Sequence, residues 1–135
     1  MERMFAYAQL FNQDISKWDV SSVTDMGSMF AYAQSFNQDI SKWDVSRVVS
    51  MYKMFRQAQS FNGDVSKWDV SRVIYMDYMF NGAISFSQTL CSRPWVDSKS
   101  KIAVMFTGSS HAIFTGSSGS ISSTVCGLCL LLESF

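Results

Sequence analysis

Histidine is almost absent from this chain of 135 residues, since His111 is the only one. It lies in Gly108-Ser109-Ser110-His111-Ala112, and no cysteine or aspartate nearby has the spacing of a metal site or a catalytic triad. We therefore interpret His111 as a solvated loop residue and expect no enzyme activity, no catalytic residues and no cofactor.

Charge of either sign is also scarce, because charged residues make up only 16 % of the sequence. Eleven Lys and Arg balance eleven Asp and Glu, so no net field would attract nucleic acid or anionic lipid. Long apolar runs are missing as well: the longest, Leu128 to Leu132, is far shorter than the roughly 18 residues of a membrane span. Met1 to Leu10 lacks the pattern of a signal peptide. These absences disfavour nucleic-acid binding and predict no membrane span.

Cysteine is limited to Cys91, Cys126 and Cys129. The last two have the C-x-x-C spacing of a redox pair or half a zinc site, but no second pair follows. In an oxidising compartment one disulfide and one free thiol could form, so the redox state stays open. We expect no metal at this pair.

What the sequence contains is a repeat of 25 residues. The string FNQDISKWDVS occupies residues 11–21, recurs unchanged at 36–46, and returns at 61–71 as FNGDVSKWDVS. A Met-Phe pair keeps the same period, and a decayed fourth unit ends at Met105-Phe106, one residue late. The repeat therefore predicts one domain over residues 1–106, followed by a Gly/Ser-rich and poorly ordered tail over 107–135.

Each repeat divides into a half typical of a strand and a half typical of a helix. Residues 15–20 have the L-x-x-L-x-L spacing of a leucine-rich-repeat strand, and apolar residues at 26, 29, 30 and 33 form one stripe of a short helix. Stacked at roughly 4.8 Å, such coils would align the repeated aromatic residues into internal ladders. The predicted fold class is α/β, a leucine-rich-repeat-like solenoid with one short strand and one short helix per coil. The predicted ladders are Trp18, Trp43 and Trp68, and Phe11, Phe36, Phe61 and Phe86.

The repeated module resembles the BspA-like leucine-rich-repeat surface-protein family. The resemblance rests on the FNQDI, WDVS and Met-Phe motifs at fixed spacing, and it covers about residues 1–106. It implies an α/β solenoid on a microbial cell surface or secreted, involved in adhesion and without enzymatic activity. The decayed unit with Cys91 is similar to the irregular last module that closes such arrays.

The exposed strand face is the candidate binding surface, because solenoids use such faces for partners. We expect it to bind a protein or glycan, or to be only a solvated face with balanced charge. Exposed tyrosines at 7, 32, 52, 75 and 78 could add contact area. The candidate partner-binding residues are Lys17, Asp19, Lys42, Asp44, Lys67 and Asp69.

The turns carry a second set of polar residues, repeated at the same period. They could offer calcium a row of oxygen ligands, or they could cap the turns by bonding their own backbone. The capping interpretation is simpler because a calcium roll needs several glycines per turn. The residues are Asn12, Asp14, Asn37, Asp39, Asn62 and Asp64.

The function that we expect from the sequence is a non-enzymatic cell-surface or secreted interaction module. Met1 falls in the middle of a repeat, so we expect a fragment of a longer protein, or self-association through the uncapped first coil. The alternative is a structural spacer without a binding partner. A hydrolase is disfavoured because exposed aspartates lack the burial that separates the pKa values of an acid and a base.

Overall fold

The computed structural model describes residues 1–90, 92–97 and 105–106. Within them one helix, α1, spans Arg93–Asp97, and two isolated parallel bridges join Asp25 to Ser50 and Ser50 to Tyr75. The predicted tail over 107–135, His111 and the three cysteines lie outside the described residues.

Successive repeats are joined by backbone hydrogen bonds that run from one repeat to the next. Within residues 28–32, every second N–H donates to a carbonyl 24 residues further along the chain. The N–H groups between them close turns with the carbonyl three residues back, so both sets of donors are satisfied. The bonds between repeats are Ser28 N to Tyr52 O (2.7 Å), Phe30 N to Met54 O (2.9 Å) and Tyr32 N to Arg56 O (2.7 Å).

This turn pattern occupies the half of the repeat that was expected to be helical. An α-helix needs negative φ throughout, but Ser28 and Tyr32 have φ of 54° and 61°. The equivalent positions in the next repeat, Lys53 and Gln57, are also left-handed, with φ of 56° and 57°. Residues 26–33 therefore form a run of turns in place of the expected short helix.

The expected strand half is also built from turns. Trp18 N–H donates to the Ile15 carbonyl at 3.1 Å, and Val23 N–H donates to the Val20 carbonyl at 2.9 Å. No extended strand is present within residues 1–90. The repeats stack, as the period predicts, but their contacts are made by turns rather than by a strand and a helix.

The core between the stacked repeats is a double column of phenylalanine rings. Within a repeat, Phe30 and Phe36 stack with ring centroids 3.9 Å apart. From repeat to repeat, Phe30 and Phe55 are 5.6 Å apart and Phe36 and Phe61 are 5.8 Å apart, with nearly parallel planes. This confirms the predicted phenylalanine ladder.

The buried tryptophans link neighbouring repeats by a hydrogen bond as well as by packing. Trp43 Nε1–H donates to the Ile15 carbonyl at 3.2 Å, and Trp68 Nε1–H donates to the Ile40 carbonyl at 3.2 Å. Both rings are buried, whereas Trp18 in the first repeat is 40 % exposed. Each buried tryptophan thus adds a second hydrogen bond to a carbonyl of the preceding repeat that already accepts a turn N–H.

Candidate partner-binding surfaces

All six residues predicted to bind a partner are exposed in the structure. Each lysine lies in the turn that begins at the Ile15 position of its repeat, and each aspartate follows two residues later. We call these residues the charged face: Lys17, Asp19, Lys42, Asp44, Lys67 and Asp69.

The aspartates of the charged face are held in place by their own turns. Asp19 Oδ1 accepts hydrogen bonds from the Ser21 hydroxyl at 2.6 Å and from the Ser21 N–H at 3.0 Å. Asp44 accepts from the Ser46 N–H at 3.0 Å. The serine hydroxyls, and then the backbone N–H groups, lower the pKa of both carboxyls below the usual value of 3.8. These carboxylates are therefore ionised at neutral pH and fixed in orientation.

The lysines of the charged face interact electrostatically with a second row of carboxylates, those that precede them in each repeat. The charge of Lys17 contributes to the lowered pKa of Asp14, after the backbone N–H and hydroxyl of Ser16. Lys42 acts in the same way on Asp39, after the hydroxyl and backbone N–H of Ser41. No lysine contributes to the lowered pKa of Asp19 or Asp44.

Neither row of carboxylates closes a short ion pair with these lysines. Among the described residues, the one ion pair within 4.0 Å joins Arg3 and Glu2, at 3.5 Å. The lysine ammonium groups of the charged face consequently remain available to a partner.

The repeated asparagines bond to neighbouring repeats rather than to their own turns. Asn12 Oδ1 accepts from the Asn37 N–H at 2.9 Å, Asn37 Oδ1 accepts from the Asn62 N–H at 2.9 Å, and the series continues to Ser87. Capping is thus done by aspartate alone, and the asparagines form a ladder along the stack. The part of the chain that the structure describes contains no group of three or more His, Cys, Asp or Glu residues able to hold a metal ion.

A groove on another side of the stack brings together aromatic rings and cations from several repeats. Tyr7 and Tyr32 stack at 4.8 Å with an angle of 7° between their planes. Arg56 lies 5.5 Å above the Tyr32 ring, and Lys53 Nζ lies 4.6 Å above the Tyr52 ring. A cavity of about 230 Å³ opens between them. We call this the tyrosine groove, with Arg3, Tyr7, Tyr32, Tyr52, Lys53 and Arg56 as its defining residues.

Sequence reasoning found the tyrosines of this groove but missed its cations. Tyr7, Tyr52, Tyr75 and Tyr78 are exposed as expected, whereas Tyr32 is partly covered. Arg3 and Lys53 occupy the same position of the repeat, 50 residues apart. Aligning the repeats in columns would have placed these cations beside the tyrosines.

No helix among residues 1–90, 92–97 and 105–106 is long and apolar enough to cross a bilayer.

Comparisons with other proteins place the chain in a family. Neither the curated proteins nor the solved structures gave a match. A family profile described as "Mycoplasma protein of unknown function, DUF285" matches residues 1–113. The chain is thus a repeat protein that belongs to the DUF285 family.

Proposed function

We propose that this chain is a non-enzymatic interaction module, secreted or displayed on a cell surface, that binds a protein or glycan through the charged face. One observation carries the proposal: the same lysine and aspartate recur, exposed, in three stacked repeats. A face with equally spaced copies can bind a repetitive target at several points. Weak single contacts then gain strength through effective concentration.

The state of each charged group supports this proposal. The aspartates are held by their own turns, so little side-chain entropy is lost when a partner binds them. The lysines form no ion pair within 4.0 Å in the described chain, so a partner would not have to displace an existing bridge. Adhesion, the BspA-like assignment and the solenoid class belong to the same proposal, and the stacking of the repeats supports the solenoid class.

A structural spacer is the competing proposal, and the aspartates favour it as much as they favour binding. Their hydrogen bonds stabilise turns whether or not a partner exists. The lysines distinguish the two functions by experiment, because only a binding module should lose affinity for a partner when they are replaced.

The test measures binding of the purified chain to immobilised extracellular-matrix proteins and glycans. We expect at least one surface to bind the native chain, with lower affinity at high salt because the contacts are ionic. The variant Lys17→Glu/Lys42→Glu/Lys67→Glu should lose this binding. A second variant with glutamine at the same positions should weaken it without adding negative charge beside Asp14 and Asp39.

The matched control reverses two exposed cations that belong to neither surface, with Arg72→Glu/Arg93→Glu. Intrinsic tryptophan fluorescence and the thermal midpoint of each variant establish that the fold is retained. Binding that survives both lysine variants would move the site away from the charged face. No binding to any surface by the native chain would favour the spacer.

A further inference from the structure

The tyrosine groove is lined by three cations, and no carboxylate is among the residues of its lining. The residues lining its cavity of about 230 Å³ include Arg3, Lys53 and Arg56 but no Asp or Glu. Glu2 lies 3.5 Å from Arg3, outside that lining, and both side chains are largely exposed. The groove therefore favours an anion.

Arg56 has a donor that nothing in the described chain satisfies. Its Nε atom is buried and has no hydrogen-bond partner among the described residues. The guanidinium is held over the Tyr32 ring at 5.5 Å, which fixes the direction of its donors. A buried donor without an acceptor is unfavourable. Arg56 also lines the groove, so an oxyanion there would gain charge-assisted hydrogen bonds from the terminal nitrogens of the same guanidinium.

Lys53 is positioned beside Arg56 by the backbone and by two rings. Its φ of 56° belongs to the left-handed position of the repeat. Its Nζ lies 4.6 Å from the Tyr52 centroid and 5.8 Å from the Tyr78 centroid. The two cations thus form a pair of donors on one repeat, flanked by aromatic faces.

Tyr7 offers a free aromatic face of the size of one small ring, whereas Tyr32 is covered by Tyr7 and by Arg56. Tyr7 is 69 % exposed and stacks on Tyr32 at 4.8 Å. The cavity of about 230 Å³ is smaller than the roughly 300–1,000 Å³ of sites for drug-sized ligands. A second cavity, of about 450 Å³, shares Tyr52, Lys53 and Arg56 with the first and extends to Asn81. Together they would accept a short chain of rings rather than one large molecule.

The backbone at the base of the groove argues against a peptide as the ligand. The N–H groups of Ser28, Tyr32 and Lys53 already donate to carbonyls of the next repeat, at 2.7, 2.7 and 3.0 Å. An extended peptide gains affinity by pairing with free main-chain groups, and these donors are not free. Recognition must come from side chains: the cations, the ring faces, and the hydroxyl and amide groups of Ser28, Tyr52 and Asn81.

We propose that the tyrosine groove binds an acidic sugar residue of a glycan. In this arrangement the carboxylate lies between Arg56 and Lys53, and another sugar ring of the chain packs on the free face of Tyr7. Neighbouring sugars extend toward Asn81. The site is separate from the charged face, so its test is independent of the proposed function.

The experiment titrates the full chain with a hyaluronan hexasaccharide, in which glucuronic acid alternates with N-acetylglucosamine, and follows the tyrosine ring signals by NMR. We expect saturable shifts of Tyr7 and Tyr32 that weaken with added salt. Lys53→Gln/Arg56→Gln should raise the Kd at least about tenfold, because a charge-assisted hydrogen bond is lost. Tyr7→Ala removes only an exposed ring and should also raise the Kd. The matched control Arg72→Gln/Arg93→Gln, at two exposed cations that belong to neither surface, should leave the Kd unchanged.

Three further probes separate the alternatives. Neutral chitohexaose should bind at least about tenfold more weakly than the acidic hexasaccharide, since it lacks the charged partner. Hexaglutamate and inorganic phosphate should not displace the hexasaccharide at equal concentration. The proposal is overturned if the hexasaccharide does not bind, if chitohexaose binds as well, or if hexaglutamate or phosphate displaces it.

Discussion

Single polar residues of the repeat divide into those that act within a turn and those that act between repeats. Asp19 belongs to the first kind, because its carboxylate accepts from Ser21 only. Asn37 belongs to the second, because its side chain accepts from the next repeat and its N–H donates to the previous one. Aspartate at the ladder position would stack like charges, whereas the neutral asparagine amide can repeat along the stack without that cost.

The hydrogen bonds to the aspartates predict how the chain responds to acid. The pKa of Asp19 is below 3.8 in the folded chain, chiefly through the Ser21 hydroxyl. A lowered folded pKa stabilises the fold above the unfolded pKa, and this contribution is lost as pH falls through the folded value. We expect stability to decline below about pH 4.

The variant Ser21→Ala tests this cause directly. In a carboxyl NMR titration, the pKa of Asp19 should rise toward its usual value, while that of Asp44, which keeps Ser46, should not change. An unchanged pKa of Asp19 would mean that the hydroxyl is not its main partner.

Positions with positive φ should tolerate substitution by glycine better than other positions of the chain. Ser28 has φ of 54°, which an L-residue adopts at a cost of roughly 1 kcal/mol and glycine adopts without it. Ser28→Gly should therefore be more stable than the control Ser35→Gly by about 1 kcal/mol, measured by denaturant unfolding. Equal stabilities of the two variants would argue against the left-handed turn.

At the scale of the element, the buried tryptophan of each repeat both packs in the core and donates a hydrogen bond to the preceding repeat. Trp43→Phe removes the donor to the Ile15 carbonyl and leaves space in the core, so it should lower the free energy of unfolding by about 2–4 kcal/mol. Trp18→Phe is the matched control, because Trp18 is 40 % exposed, and it should cost under about 1 kcal/mol. Similar losses of unfolding free energy in both variants would contradict the packing of Trp43 against the preceding repeat.

The elements also show which features the sequence could predict. Identical motifs at fixed spacing predict stacking, and the phenylalanine ladder follows from it. Residues 26–33 form turns where the sequence predicts a short helix, because apolar residues at 26, 29, 30 and 33 suit a run of turns as well as a helix. Serine and tyrosine do not favour positive φ, so the residue types at 28 and 32 do not predict the left-handed backbone found there. The neighbouring repeat imposes it, by accepting hydrogen bonds that a helix would keep within itself.

At the scale of the whole molecule, the two candidate surfaces differ in how far they could be predicted. The charged face uses one pattern copied three times, so a single repeat suffices to find it. The tyrosine groove uses different residues at equivalent positions, such as Arg3, Ser28 and Lys53, so it exists only after stacking. The groove is formed by residues that differ between copies of the repeat, and not by residues that all copies share.

The central claim is that turns bonded from one repeat to the next, and not helices, hold the stack together. Scalar coupling across hydrogen bonds, measured by NMR on the labelled chain, reports which carbonyl each amide contacts. We predict correlations from Phe30 N to the Met54 carbonyl and from Phe55 N to the Met79 carbonyl. Correlations from Phe30 N to the carbonyl of Met26, four residues back, would show a helix and contradict the account.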